Sequence, residues 1–394
     1  MIMSNIILAF FSRFLFVIAQ FATLWFYTAS FSVTDLSSYN IATTLALILN
    51  TLICQPFDIV LQKRFTRRLN QLSDISTLQI WYLSILFISL MAFVAYFLLQ
   101  QNNNTETQNI LLAVLLCGSS YLSHSSKTLY LNSGRIFIYN IIVILESTFK
   151  VFPLFLLYYF ENLTLFNFII TLVAIQLATA VFFLIHNAKG IKLRKYKMIL
   201  KSFNGNFVQR SVGNSFHWTV TNLFRLLLIG STREDLIAMG LTCFAIGCSI
   251  SQSINSIINQ FYYPRIYKNK GKGFKPFCHF ILVVNLCAAA VLIYINPLIF
   301  EWLLPTHFLG YEHFIILGLI TEMFNGLLGP LGIVANFRDE DKKLKATYFV
   351  AALLSIALVI PLVVLQKWDL MFIVPAVCLF MIYIYYYREL LNET

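Results

Sequence analysis

Residues 265–300 read RIYKNKGKGFKPFCHFILVVNLCAAAVLIYINPLIF. Arg265, Lys268, Lys270, Lys272 and Lys275 crowd the start of this stretch, and no charged side chain then follows until Glu301. A helix needs roughly 20 apolar residues to cross a bilayer core. A basic cluster at one end marks the side that stays in the cytoplasm. The stretch therefore reads as a cytoplasmic loop running into a membrane-spanning helix.

The same unit recurs along the chain. Apolar runs predict spans over 5–30, 36–61, 76–100, 108–131, 136–160, 163–186, 207–230, 235–262, 274–300, 309–336, 343–365 and 370–391. They are long and uninterrupted, not short and alternating, so helices are expected and a β-barrel is not. Twelve spans would occupy roughly 240 positions. Composition agrees: 59% of the 394 residues are hydrophobic and 11% charged, with a mean hydropathy of +0.76. A soluble domain has nowhere to place so much apolar surface. The first run lacks a preceding basic segment and is read as a retained helix, not a cleaved leader.

A net charge of +11 would also suit a nucleic-acid binder, but its distribution excludes that partner. With both termini in the cytoplasm, the inner loops hold Lys63, Arg64, Arg67 and Arg68; Lys127 and Arg135; and Lys189, Lys192, Arg194, Lys195, Lys197, Lys201 and Arg210. Arg265 to Lys275, then Arg338, Lys342, Lys343 and Lys345, and finally Arg388 complete the inner set. The outer loops hold only Arg233 and Lys367, while Arg13, Lys150 and Arg225 fall inside spans. Such asymmetry follows the rule that sets membrane topology.

Six spans on either side of a basic connector give two lobes, 1–188 and 207–394, joined by 189–206. The apolar residues interleaved in the connector, Ile191, Leu193, Tyr196, Ile199 and Leu200, suit a helix lying on the cytoplasmic surface. A faint repeat at an offset of 200 supports the division: Asp35-Leu36 opens the second span and Asp235-Leu236 the eighth. Lobes of six helices point the same way across the membrane.

Several enzymatic functions are disfavoured. The outer loops, among them Ser32–Asp35, Gln101–Thr107 and Glu301–Phe308, are too short to form a catalytic domain, and no phosphate-binding GxxxxGK[ST] loop occurs. The seven cysteines, at 54, 117, 243, 248, 278, 287 and 378, show no metal-ligand spacing and read as small packing residues. No metal and no cofactor are expected. The chain reads as a machine for moving something across a bilayer.

Polar side chains inside the spans indicate where. In hydrocarbon they are costly, so several on one face imply partners or a wet path. Asn214, His217, Trp218, Thr221, Asn222 and Arg225 follow the i, i+3, i+4, i+7, i+8, i+11 spacing of one helical face. The eighth span carries Ser249, Gln252, Asn255, Ser256, Asn259 and Tyr263, the second Thr51, Gln55, Asp58 and Gln62, and the first Arg13, Gln20 and Tyr27. Such faces also hydrogen-bond helices together; a stripe as long as that of the seventh span favours a cavity. Candidate substrate-binding residues are Arg13, Gln20, Lys150, Asn214, His217, Asn222, Arg225, Gln252, Asn255 and Asn259.

The buried charges narrow the cargo. Arg13, Lys150 and Arg225 stand against Glu146 and Glu322, a slight cationic excess that suits a phosphate or pyrophosphate group. Glu146 and Lys150, spaced i, i+4, could instead neutralise each other. Glu322 lies among Gly318, Gly326, Gly329, Pro330 and Gly332, which predict a bent or broken helix. Glu146, Glu322 and His217 are the titratable candidates for coupling transport to an ion gradient. His124, Lys127 and the serines 119, 120, 123, 125 and 126 make the inner half of the fourth span polar, as a cytoplasmic entrance or as helix packing.

Three segments carry a family resemblance: Phe31-Ser-Val-Thr-Asp-Leu-Ser-Ser-Tyr39 between the first two spans, Asn255 to Ile266 with its Tyr263-Pro264-Arg265-Ile266, and Ala335-Asn336-Phe337-Arg338. With them the chain resembles the polysaccharide transporter (O-antigen flippase, Wzx-like) family of the multidrug/oligosaccharidyl-lipid/polysaccharide exporter superfamily. Ser38 stands where that family prefers glycine. The resemblance implies an all-α, MATE-like integral membrane protein, V-shaped, with two six-helix lobes around a central cavity. It also implies alternating-access transfer of an undecaprenyl-pyrophosphate-linked oligosaccharide, an O-antigen or capsule repeat unit, from the cytoplasmic to the periplasmic leaflet of a bacterial inner membrane. Expected partners are that lipid-linked glycan, membrane lipids and the polysaccharide polymerase machinery. The competing readings are an exporter of a small solute or drug and, more distantly, a membrane-bound glycan polymerase. A drug exporter would use carboxylates for a cationic cargo, and a polymerase would need a catalytic constellation that His217 alone does not make.

Overall fold

The structure, a computed structural model, describes residues 2–54, 105–132, 135–187, 196–268, 274–337 and 341–392. The expected third span, the basic loop 63–68, residues 189–195 and the polar positions Gln55, Asp58 and Gln62 lie outside the described residues.

All regular structure among the described residues is helical. In chain order the α-helices are α1 (Ile2–Ser30), α2 (Val33–Leu49), α3 (Thr105–Asn132), α4 (Ile136–Tyr159), α5 (Leu165–Asn187) and α6 (Tyr196–Ile229). They continue with α7 (Leu241–Lys268), α8 (Phe274–Leu303), α9 (His313–Phe337), α10 (Asp341–Val364) and α11 (Val374–Asn392). Single π-helical turns extend α2 over Asn50–Cys54 and precede α7 over Leu236–Gly240. Eight of the described helices are long and apolar enough to cross a membrane. The chain is a multi-pass, all-α membrane protein.

Exposed surface fits that setting. The outward side of α4 carries Phe137, Leu145, Phe149, Phe152 and Phe155, all exposed, which a bilayer tolerates and water does not. α3 and α6 are not among the eight helices. α3 carries the serine-rich stretch and α6 the long polar stripe.

At 34 residues, α6 is about 51 Å long at the usual rise per residue, against a hydrocarbon core of about 30 Å. From Tyr196 onward the expected connector is continuous with α6.

Contacts divide the chain into two compact units: Met1–Phe31 with Ile41–Ser215, and Ser32–Asn40 with Phe216–Thr394. The start of α2 therefore groups with the second unit. Its local fold follows from the Ser-x-x-Asp motif. The backbone N–H of Asp35 donates to Ser32 Oγ (3.2 Å), Ser32 Oγ donates to the Asp35 carboxylate (2.7 Å), and the N–H of Leu36 donates to the Ser32 carbonyl (3.0 Å), a reciprocal cap on the first turn. One turn further, Asn40 Nδ2 donates to the carbonyls of Ile237 (2.9 Å) and Ala238 (3.0 Å) and to Thr242 Oγ1 (3.0 Å). A π-helical turn shifts the usual bonding ladder, and Asn40 supplies donors to two of its carbonyls. Leu36 and Leu236, the residues matched by the repeat, are both fully buried.

In the second unit α7 and α9 pack closely. A Cβ at Gly247 would collide with the Ile315 carbonyl, and one at Gly318 with the Phe244 carbonyl. Cys248 Sγ reaches the Gly318 carbonyl at 3.3 Å. The glycines of α9 were expected to bend or break that helix. It runs unbroken from His313 to Phe337 with Pro330 inside it. Gly318 and Gly326 instead admit α7, since at Gly326 a Cβ would meet the Asn255 amide.

Candidate functional site

In the first unit, α1 and α4 run parallel and share a polar seam. Ser12 Oγ donates to Asn140 Oδ1 at 2.8 Å. The Arg13 guanidinium donates to the Tyr139 hydroxyl and lies over the rings of Tyr139 and Phe16, 5.3 and 5.9 Å from their centroids. Arg13 is buried, held among aromatic rings that stabilise a cation, and does not reach outward as a snorkelling side chain would. Two turns along, Lys150 Nζ donates to Gln20 Oε1 at 3.4 Å. The pairing of Arg13 with Tyr139 and of Gln20 with Lys150 in the same order fixes the parallel direction.

Glu146 forms its ion pair with Lys127 and not with Lys150. Its carboxylate takes Lys127 of α3 at 2.7 Å and the Ser123 hydroxyl at 3.2 Å. Lys127, assigned from the sequence to a cytoplasmic loop, thus forms an ion pair between helices. Ser119 donates to Gln176 of α5 at 2.6 Å, and Ser126 to the Leu122 carbonyl. These serines bind α3 to its neighbours or to itself, while His124 is exposed.

In the second unit the stripe of α6 meets α9 running the other way. His217 Nε2 is 3.0 Å from Asn325 Oδ1, and Asn325 Nδ2 donates to the Glu322 carboxylate at 3.1 Å. The His217 ring stands edge-on to Tyr348 of α10, with centroids 5.1 Å apart. Arg225, two turns beyond His217, lies over Phe224 and Phe244, 5.7 and 5.4 Å from their centroids, and is attracted by the Glu322 charge. Thr221 donates to the His217 carbonyl, and Asn222 Nδ2 to Thr221 Oγ1 at 2.7 Å. Arg225 Nε, Asn214 Nδ2 and Trp218 Nε1 are buried without a hydrogen-bond partner among the described residues. A buried donor left unpaired is costly.

Asn255 has a different setting. Its Oδ1 accepts from Asn285 Nδ2 at 2.9 Å, its Nδ2 reaches Ser251 Oγ and the Glu322 carbonyl, both at 3.4 Å, and Ser251 Oγ donates to Asn285 Oδ1 at 2.7 Å. This closed network joins α7, α8 and α9. Asn255 serves as an interhelical clamp here, its amide engaged at both ends. Gln252 is exposed, and Asn259 Oδ1 is buried without a partner among the described residues.

Sequence reasoning missed Tyr139, Asn285, Asn325 and Tyr348. Asn325 alone had a local signal, three residues from Glu322 on one face. The aromatic partners are indistinguishable in sequence from the many that face lipid.

Outside the spans, Arg233 grips Asp235 through Nε (2.9 Å) and a terminal nitrogen (2.7 Å), and Tyr311 donates to the same carboxylate at 2.8 Å. The Arg233 hydrogen bonds, with that of Tyr311, hold the Asp235 carboxyl down at about 2. Arg233 itself is raised by its bond to Asp235. Burial first, then the bond to Asp235, pushes the Tyr311 phenol up to about 12.

No protein-family model matches the chain, and no curated protein matches it. Solved structures do. The chain is similar to the lipid II flippase MurJ in an inward closed conformation, at 15% identity and TM-score 0.62, covering 98% of this chain and 87% of that one. It is similar to a MATE protein in complex with MaL6, at 10% identity and TM-score 0.60, covering 99% and 97%. A MOP superfamily transporter from Pyrococcus furiosus aligns at 11% identity and TM-score 0.57, covering 98% and 93%. The fold is MATE-like.

Proposed function

We propose that the protein is a flippase that carries a polyprenyl-pyrophosphate-linked oligosaccharide, an O-antigen or capsule repeat unit, from the cytoplasmic to the periplasmic leaflet of a bacterial inner membrane. The fold it shares with MurJ, a lipid II flippase, supports this. The observation that carries it lies in the first unit: Lys127 occupies Glu146, leaving Lys150 hydrogen-bonded to the neutral amide of Gln20. A lysine so placed offers charge-assisted hydrogen bonds to a phosphate. Within the same unit, Arg13 adds a second buried cation on the seam between α1 and α4. The polyprenyl tail needs no such cations and stays in lipid. Polysaccharide polymerase enzymes would act on the product at the outer face.

The test is transfer in proteoliposomes of a fluorescent polyprenyl-pyrophosphate oligosaccharide, read by its protection from an impermeant quencher. The wild type should accelerate transfer over empty vesicles, and Lys150→Gln should slow it about tenfold or more, as loss of a hydrogen bond to a charged group implies. Unchanged transfer in Lys150→Gln would overturn the reading, as would equal transfer of a polyprenyl glycan lacking phosphate.

A second reading, export of a cationic solute, rests on Glu322, a carboxylate inside the second unit that accepts a hydrogen bond from the neutral amide of Asn325. Transport of a cationic dye, abolished by Glu322→Gln, in a protein inert to the lipid-linked glycan would establish it.

A further inference from the structure

Glu322, Asn325 and His217 form one hydrogen-bonded line from α9 to α6. An ionised carboxylate offers only acceptors, so Asn325 must turn its NH2 edge to Glu322, 3.1 Å away. Its carbonyl edge then faces His217 Nε2 at 3.0 Å. A carbonyl oxygen only accepts, so that nitrogen must carry the proton, leaving Nδ1 as the acceptor of the neutral ring.

We propose that Asn325 is a rotatable coupling residue, its amide orientation set by the ionisation of Glu322 and in turn setting which nitrogen of His217 carries the ring proton. The proposal rests on the transporter reading above and gives that site its regulation. When Glu322 gains a proton it adds a donor to its acceptors and no longer holds the amide in one orientation. The amide can then turn over, accepting from Glu322 through Oδ1 and offering Nδ2 to His217. Nε2 must now accept, so the ring takes one proton from water at Nδ1 and returns one to water from Nε2, neutral before and after. A proton on α9 is thereby registered on the polar stripe of α6 without any charge passing between the helices.

Among the described residues, these groups face the line. Arg225 of α6 and Cys248 of α7 interact electrostatically with Glu322, and the Asn255 amide of α7 holds the Glu322 carbonyl. Tyr348 of α10 packs on the His217 ring. Asn325 is a positioning residue in this scheme, since it acts through the two groups it joins.

The experiment is nitrogen NMR of the full chain labelled with 15N-histidine in lipid nanodiscs, above the titration of the ring, with His217→Gln identifying the signal among the six histidines. The wild type should show His217 protonated at Nε2 alone. Glu322→Gln offers either amide edge to Asn325, so a second signal, from the ring protonated at Nδ1, should appear. Adding Asn325→Asp places a pure acceptor beside His217, and the Nε2 form should return as the sole species. A single unchanged tautomer in Glu322→Gln, or persistence of the Nδ1 form in the double variant, overturns the proposal. Should Glu322→Gln not fold, Asn325→Leu removes the acceptor and must lift the same restriction; if the ring keeps one tautomer there, the proposal also fails. These readouts involve no transport, so they stand or fall apart from the flipping assay.

Discussion

Glu146 gives its carboxylate to Lys127 on a neighbouring helix, at 2.7 Å, and not to Lys150 one turn along its own helix. Both partners are largely shielded, with side-chain exposures of 18% and 16%. Removing one member of such a pair strands the other charge. Lys127→Met should therefore destabilise the protein by about 2–3 kcal/mol, somewhat below the loss for a fully buried pair. Lys127→Met with Glu146→Gln should recover most of that loss, because no charge is then stranded. Thermal unfolding in detergent checks both, and additive losses would mean the pair is not coupled.

The contact between α7 and α9 yields a second expectation. Gly247→Ala and Gly318→Ala each press a methyl into a backbone carbonyl of the facing helix, which cannot rotate aside as a side chain could. Each should cost about 1–3 kcal/mol or more and reduce the monodisperse protein recovered by size-exclusion chromatography. Gly332→Ala, where a Cβ meets nothing within 4 Å, is the control and should be neutral or slightly stabilising.

These cases mark where sequence stops being legible. Apolar runs and loop charge announced the helices, since bilayer thickness and topology act on composition alone. The α6 stripe was readable from spacing, because residues on one helix have a fixed geometry. Partners across helices were not. Lys150 was the nearest cation to Glu146 in sequence, yet Lys127, 19 residues away, holds it. Likewise, glycines weaken a helix in isolation, and nothing local to Gly318 reports that Phe244 lies against it. The division of α2 between the two units also escaped notice, since it depends on a contact nearly 200 residues distant.

The outer cluster gives a pH dependence. Asp235 is held at about 2 against an ordinary value of 3.8, so its ionised form is favoured in the folded state. The stability it contributes is complete above about pH 4 and is lost as pH falls towards 2. Arg233 is 42% exposed and Asp235 33%, so solvent screens the pair and its worth is no more than about 1 kcal/mol. Asp235→Asn should lower the unfolding temperature slightly at pH 5 to 8, and the gap from the wild type should close between pH 4 and 2. A gap that stays constant through that range would show that the carboxylate's charge is not what matters.

Asn40 makes the most sharply defined single contribution. Its amide serves the carbonyls of Ile237 and Ala238 and the Thr242 hydroxyl, and it is 5% exposed. Asn40→Leu keeps the volume but removes both N–H donors, leaving carbonyls of the π-helical turn buried without them. The expected cost is about 1–3 kcal/mol, the penalty of unsatisfied buried acceptors. Asn40→Asp should be worse, because a carboxylate faces the same carbonyls with acceptors alone. Hydrogen exchange offers a local readout: amides of Leu236–Gly240 should exchange faster in Asn40→Leu, while those of α4 in the first unit should not change. If instead all helices lose protection equally, Asn40 supports the fold as a whole and the π-helical turn does not depend on it.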